Sequence, residues 1–281
     1  MRLLIFSKAL YSTWAFYAPD KVLFDAGEGV STNMGNKVFA IKYIFLTHGH
    51  ADHIAGLWGI VNTRDNAMGD KQKPLYIYYP KGNKGVEDFL GFIYRANPDL
   101  EYDLIAEGIS KDNEIKVTEK GRNARFIVPF PTEHTLRERS LGYNLVERRT
   151  RLKNTFRGLS EDEIIKVIKE KGRDYINETY EKKLLSVSGD CLPIDVKYIQ
   201  DTDILLHEAT FLSAEDRKGE SHSTLDEALK VAQKARVKKL ILYHISSRYE
   251  RDIRNTIARK TKAMNPSFDV LYVTPGRIFI F

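Results

Sequence analysis

The stretch from Tyr43 to His53, which reads YIFLTHGHADH, determines the fold prediction for this chain. Its apolar, β-prone opening predicts a buried strand, and side chains able to bind metal follow where the strand ends. These side chains are His48, His50, Asp52 and His53. The small residues between them allow a tight loop that turns the first two toward one ion and the last two toward a second. An ordinary polar loop is the plainer interpretation, but burying three histidines and an aspartate without partners costs too much.

Three later residues could complete two metal sites, because each follows directly on a predicted strand. They are His134 in PFPTEH, Asp190 in SVSGD and His244 in LILYH. Singly, each could be a core or surface residue, but functional side chains gather beyond strand ends in open α/β sheets. Together the seven residues suffice for two five-coordinate ions if Asp190 bridges them and a water or hydroxide lies between.

The rest of the chain alternates short strands with helices, which predicts an α/β fold. The predicted strands are Leu3 to Phe6, Val22 to Asp25, Tyr43 to Thr47, Leu75 to Tyr79, Phe126 to Pro129, Leu184 to Ser188, Ile204 to His207 and Lys239 to Tyr243. The predicted helices are a single early one, Gly85 to Ala96, and two late ones, Leu225 to Ala235 and Glu250 to Met264. The ending VLYVTPGRIFIF predicts two strands around a Pro-Gly turn that close a sheet edge.

Length and composition favour a single domain, residues 1 to 281, in a soluble globular protein. No stretch of 18 consecutive apolar residues is present, and the apolar start is too short for a signal peptide. The single cysteine, Cys191, cannot form an internal disulfide, which fits a cytoplasmic location. A net charge of +6 and a pI near 9.1 favour a polyanionic partner, although composition alone does not separate nucleic acid from simple solubility.

Residues 147 to 183 interrupt the alternation and form a predicted insertion, called the arm below. Its run from Arg148 to Arg157 contains no acid and has five basic residues: Arg148, Arg149, Arg151, Lys153 and Arg157. A helix follows, with Ser160 and Glu163 as its capping box and Gly172 at its end. These basic side chains could bind RNA phosphates. The plainer alternative is a solvated surface arm.

The HxHxDH run, followed by His, Asp and His in this order, resembles the metallo-β-lactamase superfamily. Two further motifs resemble tRNase Z: the segment Leu206 to Phe211 is similar to its HEAT motif, and His244 to Tyr249 to its HxSxRY motif. The resemblance covers nearly the whole chain. It implies an αβ/βα four-layer sandwich with a dinuclear site at one edge and an inserted flexible arm.

The same resemblance implies two zinc ions per subunit, with manganese or another divalent metal possible. One ion would bind His48, His50 and His134, the other Asp52, His53 and His244, and Asp190 would bridge them. The implied enzyme is a homodimeric, cytoplasmic endoribonuclease that removes the 3′ trailer from precursor tRNA, without a membrane partner. It would leave a 3′-hydroxyl on the tRNA and a 5′-phosphate on the trailer.

Catalytic roles follow as hypotheses. Asp52 orients the attacking water or takes its proton, while His222, oriented by Glu208, contacts the scissile phosphate or protonates the leaving oxygen. Ser246 and Arg248 are candidate phosphate contacts.

The sequence also departs from tRNase Z. Its opening, FSKALYSTWAFY, lacks the usual glycine-rich start and the following Arg-Asn loop, and the arm lacks the common Gly-Pro signature. Two alternatives therefore stay open. One is another superfamily hydrolase, acting on a small phosphodiester, a sulfate ester, a thioester or a lactam. The other is a non-catalytic, zinc-stabilised RNA-binding protein, although structural zinc sites usually need only four ligands.

Overall fold

The computed structural model describes residues 2–67, 73–118, 123–217 and 219–281. The strands are β1 (Leu3–Lys8), β2 (Ser12–Tyr17), β3 (Val22–Phe24), β4 (Tyr43–Phe45), β5 (Leu75–Pro80), β6 (Leu104–Ile109), β7 (Ile115–Lys116), β8 (Arg125–Thr132), β9 (Ser140–Leu152), β10 (Asn177–Val187), β11 (Ile204–Glu208), β12 (Lys239–Tyr243), β13 (Asp269–Tyr272) and β14 (Ile278–Ile280). The α-helices are α1 (Val30–Met34), α2 (Ala51–Ile54), α3 (Leu57–Ala67), α4 (Lys84–Ala96), α5 (Glu161–Lys171), α6 (Arg173–Ile176), α7 (Val196–Ile199), α8 (Leu225–Lys234) and α9 (Ile253–Met264).

The described strands form two mixed sheets that pack face to face. The first has the order β14-β1-β2-β3-β4-β5-β6, and its strands β3 to β6 are parallel. The second has the order β13-β12-β11-β10-β9-β8-β7, and its strands β10 to β13 are parallel. Each sheet thus joins a parallel half, typical of α/β crossovers, to an antiparallel half made of hairpins.

Strand β4 shows how the sequence produces the layers. Tyr43 and Phe45 point between the two sheets, whereas Ile44 and Leu46 point toward helices α3 and α4 on the outer face. Because side chains alternate along a strand, a run that is apolar at every position must be covered on both faces. Helices α8 and α9 cover the second sheet in the same way. The predicted αβ/βα sandwich is confirmed.

The ligand-bearing loops meet at one edge because their strands share a direction. Strand β8 is antiparallel to β9, which is antiparallel to β10, so β8 and β10 end on the same side. Two hydrogen bonds join the sheets there: the Leu141 amide donates to the Thr47 carbonyl at 2.9 Å, and the Tyr143 hydroxyl donates to the Leu46 carbonyl at 2.6 Å. The metal-ligand loop is therefore fixed to the facing sheet.

The arm extends the second sheet as a hairpin. Strand β9 continues to Leu152 and pairs with β10, which begins at Asn177, and helices α5 and α6 lie between them. The capping box between Ser160 and Glu163 is confirmed, and Gly172 ends α5. No described residue of α5 is buried, so this helix projects from the sandwich.

The prediction of a single early helix is wrong, because α3 is also helical. Its sequence, LWGIVNTRDNA, is rich in weak helix formers, but packing outweighs propensity here. Leu57, Ile60, Val61 and Arg64 share one buried face at helical spacing. Strands β2, β6, β7 and β9 were not predicted either.

The two C-terminal strands were predicted to close one sheet edge, and the structure differs. Strand β13 pairs with β12 in the second sheet, whereas β14 pairs with β1 in the first. The Pro275-Gly276 turn therefore carries the chain from one sheet to the other, and each strand lies at the edge of its own sheet.

Among the described residues, no helix is both long enough and apolar enough to span a bilayer.

Gly142 of β9 provides a test of the packing on the helix-covered face of the second sheet, where its strand partner Phe130 lies. A Cβ there would lie 2.2 Å from Cζ of Phe130 and 2.9 Å from the Val187 carbonyl oxygen. Overpacking of this kind costs about 1–3 kcal/mol. We expect Gly142→Ala to lower the free energy of unfolding by that amount in urea denaturation. The matched control is Gly158→Ala, where a Cβ meets nothing within 4 Å; equal effects of the two substitutions would contradict this packing.

Candidate metal centre

The predicted ligands of the first ion lie together. Donor atoms of His48, His50 and His134 are all within 4.8 Å of one another. Their ring centroids are 4.6 to 4.8 Å apart, and two of the three rings are buried while His50 is exposed. His48 and His50 come from the loop after β4, and His134 comes from the loop after β8.

The second group joins Asp52, His53, Asp190 and His244. Oδ2 of Asp190 lies 3.3 Å from Nε2 of His53 and 3.2 Å from Nε2 of His244. The same oxygen lies 3.9 Å from Nε2 of His48, which belongs to the first group. Asp190 therefore stands between the two groups, where the sequence analysis placed a bridging carboxylate.

A set of partners around the centre orients its imidazoles. Nδ1 of His48 lies 2.9 Å from Oγ1 of Thr47, Nδ1 of His244 lies 2.9 Å from Oγ1 of Thr210, and Nδ1 of His134 lies 2.7 Å from the Ser221 carbonyl oxygen. A metal-binding histidine usually engages its second ring nitrogen in this way, which fixes the tautomer and the ring orientation.

Divalent metal ions fit this arrangement. Nε2 of His48, Nε2 of His53 and Oδ1 of Asp190 are buried without a hydrogen-bond partner among the described residues. Leaving three such atoms unpaired is costly, and a cation would complete them. Imidazole nitrogen and carboxylate oxygen are also the donors that zinc and similar ions accept.

Burial and neighbouring groups determine the protonation states of Asp190 and His48. Burial alone would raise the pKa of Asp190, but His244 and His53 outweigh it and hold that pKa well below its usual range. Burial and the neighbouring His53 lower the pKa of His48. Asp190 is therefore ionised and His48 neutral, which are the forms that bind metal.

His222 lies beside both groups and is held by Glu208. Its Nδ1 is 3.0 Å from Oε1 of Glu208, and its ring centroid lies 4.8 Å from that of His134 and 5.5 Å from that of His244. Burial by itself disfavours the imidazolium, but the hydrogen bond to Glu208 outweighs this and raises the pKa of His222 to about 9.

Glu208 organises this side of the centre. It is fully buried, and its two oxygens accept hydrogen bonds from the backbone amides of Cys191, Thr210 and Ser223 and from the Thr210 hydroxyl. A carboxylate with this many donors is firmly positioned. The HEAT segment thus supplies the carboxylate that orients His222.

Comparison with known proteins agrees with this geometry. The metallo-beta-lactamase superfamily model matches residues 19–141. The chain is 31% identical to a ribonuclease Z of Listeria welshimeri, covering 89% of this chain and 86% of that protein. It is 30% identical to a ribonuclease Z of Thermococcus onnurineus, covering 93% and 88%.

The chain belongs to the ribonuclease Z family.

Solved structures show the same fold. The short form of human tRNase Z matches with a TM-score of 0.66 and 22% identity, covering 99% of this chain and 98% of that one. The metallo-beta-lactamase fold protein YhfI from Bacillus subtilis matches with a TM-score of 0.67 and 16% identity, covering 99% of both. Family membership makes this protein a metal-dependent hydrolase that acts as an endoribonuclease.

Ser246 and Arg248 lie just outside the two ligand groups. Nε of Arg248 donates to Oγ of Ser246 at 3.1 Å, and the exposed guanidinium lies near the rings of Phe211 and Tyr249. The Tyr249 hydroxyl donates to Asp216 at 2.6 Å. Its polar end is therefore already engaged, whereas Arg248 still presents N–H groups to solvent.

Two other residues from the sequence analysis stay outside every ligand group. Cys191 is buried, and its backbone amide, not its thiol, contacts Glu208. His207 is buried on β11, where its Nδ1 lies 2.7 Å from the Glu208 carbonyl oxygen. Both fill the interior beside the centre.

The basic residues of the arm lie in none of the ligand groups, and three of them have acidic partners. Arg148 contacts Glu114 and Glu181, Arg149 contacts Glu147, and Arg151 contacts Glu178 at 2.7 Å. Lys153 donates to the Tyr175 carbonyl at 2.7 Å. The basic run of the arm contains no acidic residue, but in the folded protein the facing strand and its neighbours place glutamates beside it.

Sequence reasoning missed Asp25, which holds the metal-ligand loop from beneath. Its carboxylate accepts hydrogen bonds from the Thr47 amide at 2.7 Å and the Thr47 hydroxyl at 2.9 Å, and it lies 2.8 Å from Nδ1 of His53. The signal was available, because Asp25 follows the apolar strand β3 as His48 follows β4.

We expect Asp25→Asn to bind divalent metal about 10 to 100 times more weakly, which is the range typical of partners that orient a metal ligand. The neutral amide can still accept from Thr47, but it loses the charge that favours the His53 contact. Competition with a chromophoric chelator measures this affinity. The control is Glu107→Gln, an exposed carboxylate on β6. Unchanged metal affinity in Asp25→Asn would show that Asp25 is not a support of the centre.

Proposed function

We propose that this protein is a zinc-dependent endoribonuclease that removes the 3′ trailer from precursor tRNA, leaving a 3′-hydroxyl on the tRNA and a 5′-phosphate on the trailer. The His222–Glu208 pair carries the proposal. His222 also lies close enough to His134 and Asp190, and to Glu208 and His244, to take part in metal binding, but the two ligand groups form without it. Its Nδ1 is held by the buried carboxylate of Glu208, which suits an imidazole that acts on the substrate. The curated relatives named ribonuclease Z support the substrate class.

The residues proposed to hold the metals are His48, His50 and His134 for one ion, and Asp52, His53 and His244 for the other, with Asp190 shared. Bound divalent ions would lower the pKa of a water and stabilise charge on the scissile phosphate. Zinc suits these histidines, and manganese would be accepted by the same donors.

The protein's own groups then manage the protons. Asp52 is partly exposed and its Oδ2 lies 3.3 Å from Nε2 of His244, so it borders the space from which a water would attack. We assign it the orientation or deprotonation of that water. His222 is assigned to the leaving 3′ oxygen or to the scissile phosphate, with Glu208 fixing the ring.

The arm is proposed to contact the phosphates of the tRNA body. The ion pairs of Arg148 and Arg151 lie at the surface, where such pairs contribute only about 0–1 kcal/mol, so these two arginines can exchange a carboxylate for a phosphate at low cost. Arg149 pairs instead with the buried carboxylate of Glu147. Arg157 has no acidic partner among the described residues. Phosphate contacts of this kind position RNA without reading its bases.

A cytoplasmic homodimer is part of the proposal. Trp58 of α3 and Phe92 of α4 are both over a third exposed, with ring centroids 5.3 Å apart, and Phe89 stacks on the latter at 6.2 Å. Exposed aromatic surface of this kind suits a subunit interface. The arm of one subunit could then hold RNA whose 3′ end enters the other subunit's centre.

Removal of metal ligands tests the centre. We expect His48→Ala, Asp52→Ala, Asp190→Ala and His244→Ala each to abolish cleavage of precursor tRNA, and a chelator to do so reversibly in the unmodified protein. Cleavage assays combined with metal analysis of each variant measure this. Full activity in metal-free Asp190→Ala protein would exclude the dinuclear model.

Replacement of His222 separates catalysis from binding. His222→Ala should lower single-turnover cleavage by about 10²- to 10⁴-fold, the usual contribution of a general acid or base. Bound metal and RNA affinity should stay nearly unchanged, because the residue is not proposed as a ligand. Loss of a metal ion from this variant would show that its role is ligation.

Combined replacement of Arg148, Arg149, Arg151 and Lys153 by Ala tests the arm. Precursor-tRNA binding should weaken and its salt dependence should flatten by roughly one unit of slope for each lost phosphate contact. Hydrolysis of a small chromogenic phosphodiester should stay nearly unchanged, because that substrate has no tRNA body.

The matched control for the arm removes two of the acidic side chains that face these arginines. Glu178→Gln combined with Glu181→Gln keeps the basic residues, releases Arg151 from its acidic partner and removes one of the two acidic partners of Arg148. RNA binding should be retained or strengthened. If the alanine variant impairs both substrates equally, the basic run is structural.

A further inference from the structure

A cavity of about 560 Å³ opens beside the metal centre, and neither metal binding nor the proposed proton transfers use it. The His134 ring forms part of its wall, so the cavity borders the first ligand group directly. Its other lining residues are Thr132, Glu133, Thr135, Leu136, Glu138, Leu192 and Glu220. The loops after β8 and β10 form two sides, and they are joined by a hydrogen bond of 2.7 Å from the Leu192 amide to the Glu133 carbonyl.

The cavity is lined by acidic side chains, whereas a phosphate-binding site is usually lined by basic ones. Glu133, Glu138 and Glu220 line it, and none of the described lining residues is a lysine or an arginine. Arg139, from the same loop, donates instead to the Lys81 carbonyl at 3.2 Å. Carboxylates would repel a phosphate placed here, so the part of an RNA that enters must be uncharged and must donate hydrogen bonds.

Glu138 is the most firmly placed of these acceptors. Its Oε1 accepts from the Gly49 amide at 2.6 Å and from Nδ2 of Asn83 at 2.7 Å. Its other oxygen, Oε2, accepts no hydrogen bond from the described part of the chain. The carboxylate is thus fixed through one oxygen, and the second is left for a ligand.

Two leucines give the cavity apolar surface next to this acceptor. Leu136 is fully exposed at its rim, and Leu192 is half-buried in its wall. Apolar surface beside a fixed hydrogen-bond acceptor suits a flat aromatic ring that carries amino groups at its edge.

We propose that this cavity binds the nucleobase on the 5′ side of the scissile phosphate and that Glu138 selects bases presenting amino or imino donors, guanine best and uracil worst. The inference rests on the proposed function. Guanine offers adjacent N1–H and N2–H groups to a carboxylate, whereas the single N3–H of uracil is flanked by two carbonyl oxygens that repel it.

The position of His222 sets the side of the cut. The leaving 3′ oxygen belongs to the nucleotide on the 5′ side, and His222 is assigned to that oxygen or to the scissile phosphate that carries it. Its ring lies 4.8 Å from that of His134, and Glu220, two residues earlier, lines the cavity. The base attached to the leaving oxygen is therefore the one nearest the cavity.

The test uses precursor tRNAs that differ only at the unpaired nucleotide on the 5′ side of the cut, with guanine, adenine, cytosine or uracil there. The wild-type protein should show a kcat/KM for guanine about tenfold above that for uracil, the discrimination typical of one good base contact. Adenine and cytosine should lie between them.

The decisive variant is Glu138→Gln. Its amide oxygen can keep the contacts to Gly49 and Asn83, while an amide donor replaces Oε2. The guanine-to-uracil ratio should therefore fall to about one or below. Because both substrates are compared on the same enzyme, partial loss of metal lowers both rates together and leaves the ratio unchanged.

Glu133→Gln and Leu136→Ser provide independent variants, because both side chains are exposed and fold stability does not depend on them. Each should lower the ratio, and the matched control Glu107→Gln on β6 should not. The inference would be overturned if the guanine-to-uracil ratio of kcat/KM were near one in the wild-type protein, or if this ratio stayed unchanged in all three cavity variants. Either result would leave the proposed function intact. A protein that cleaves none of the four precursors but still hydrolyses a chromogenic phosphodiester contradicts the proposed function, and the inference with it.

Discussion

The buried carboxylate of Asp190 imposes the constraint on which the rest of this structure depends. Its Oδ2 lies within 3.9 Å of imidazole nitrogens from four histidines, and its Oδ1 has no hydrogen-bond partner among the described residues. An ionised group in so little water is stable only beside positive charge. Asp190 and the groups around it therefore form a cation-binding site, and the two-sheet sandwich holds the residues of this site together.

The sandwich fold brings the ligands around Asp190 because strands from distant parts of the chain end at the same edge. The loop after β4 belongs to the first sheet, and the loops after β8, β10 and β12 belong to the second. Hydrogen bonds from Leu141 and Tyr143 to the β4 end fix one sheet against the other. Behind the ligands, Asp25 and Glu208 orient His53 and His222, so a second layer of carboxylates determines where the imidazoles point. A loss of either carboxylate would act on the centre without removing a ligand.

Much of this could be predicted from the sequence because the ligand pattern is local and the strand-end rule is general. His48 to His53 lie in one loop, and each later ligand follows an apolar run. Contacts between chain segments far apart in sequence could not be predicted. The pairing of Arg148 with Glu181 depends on the β9–β10 register, and the association of Glu138 with Gly49 depends on two loops from different sheets. Helix α3 was missed because its burial, and not its composition, makes it helical. The two C-terminal strands lie in different sheets because the turn between them crosses the sandwich.

We propose that this centre, with His222 beside it, hydrolyses RNA at the 3′ end of tRNA. The most direct measurement incubates the purified protein and zinc or manganese with precursor tRNAs, with and without an encoded CCA, and maps the chemistry and position of both product ends. The account predicts one cut at the trailer boundary, a 3′-hydroxyl on the tRNA and a 5′-phosphate on the trailer. Cuts scattered through the RNA, or a 2′,3′-cyclic phosphate produced by attack of the ribose hydroxyl, would contradict it.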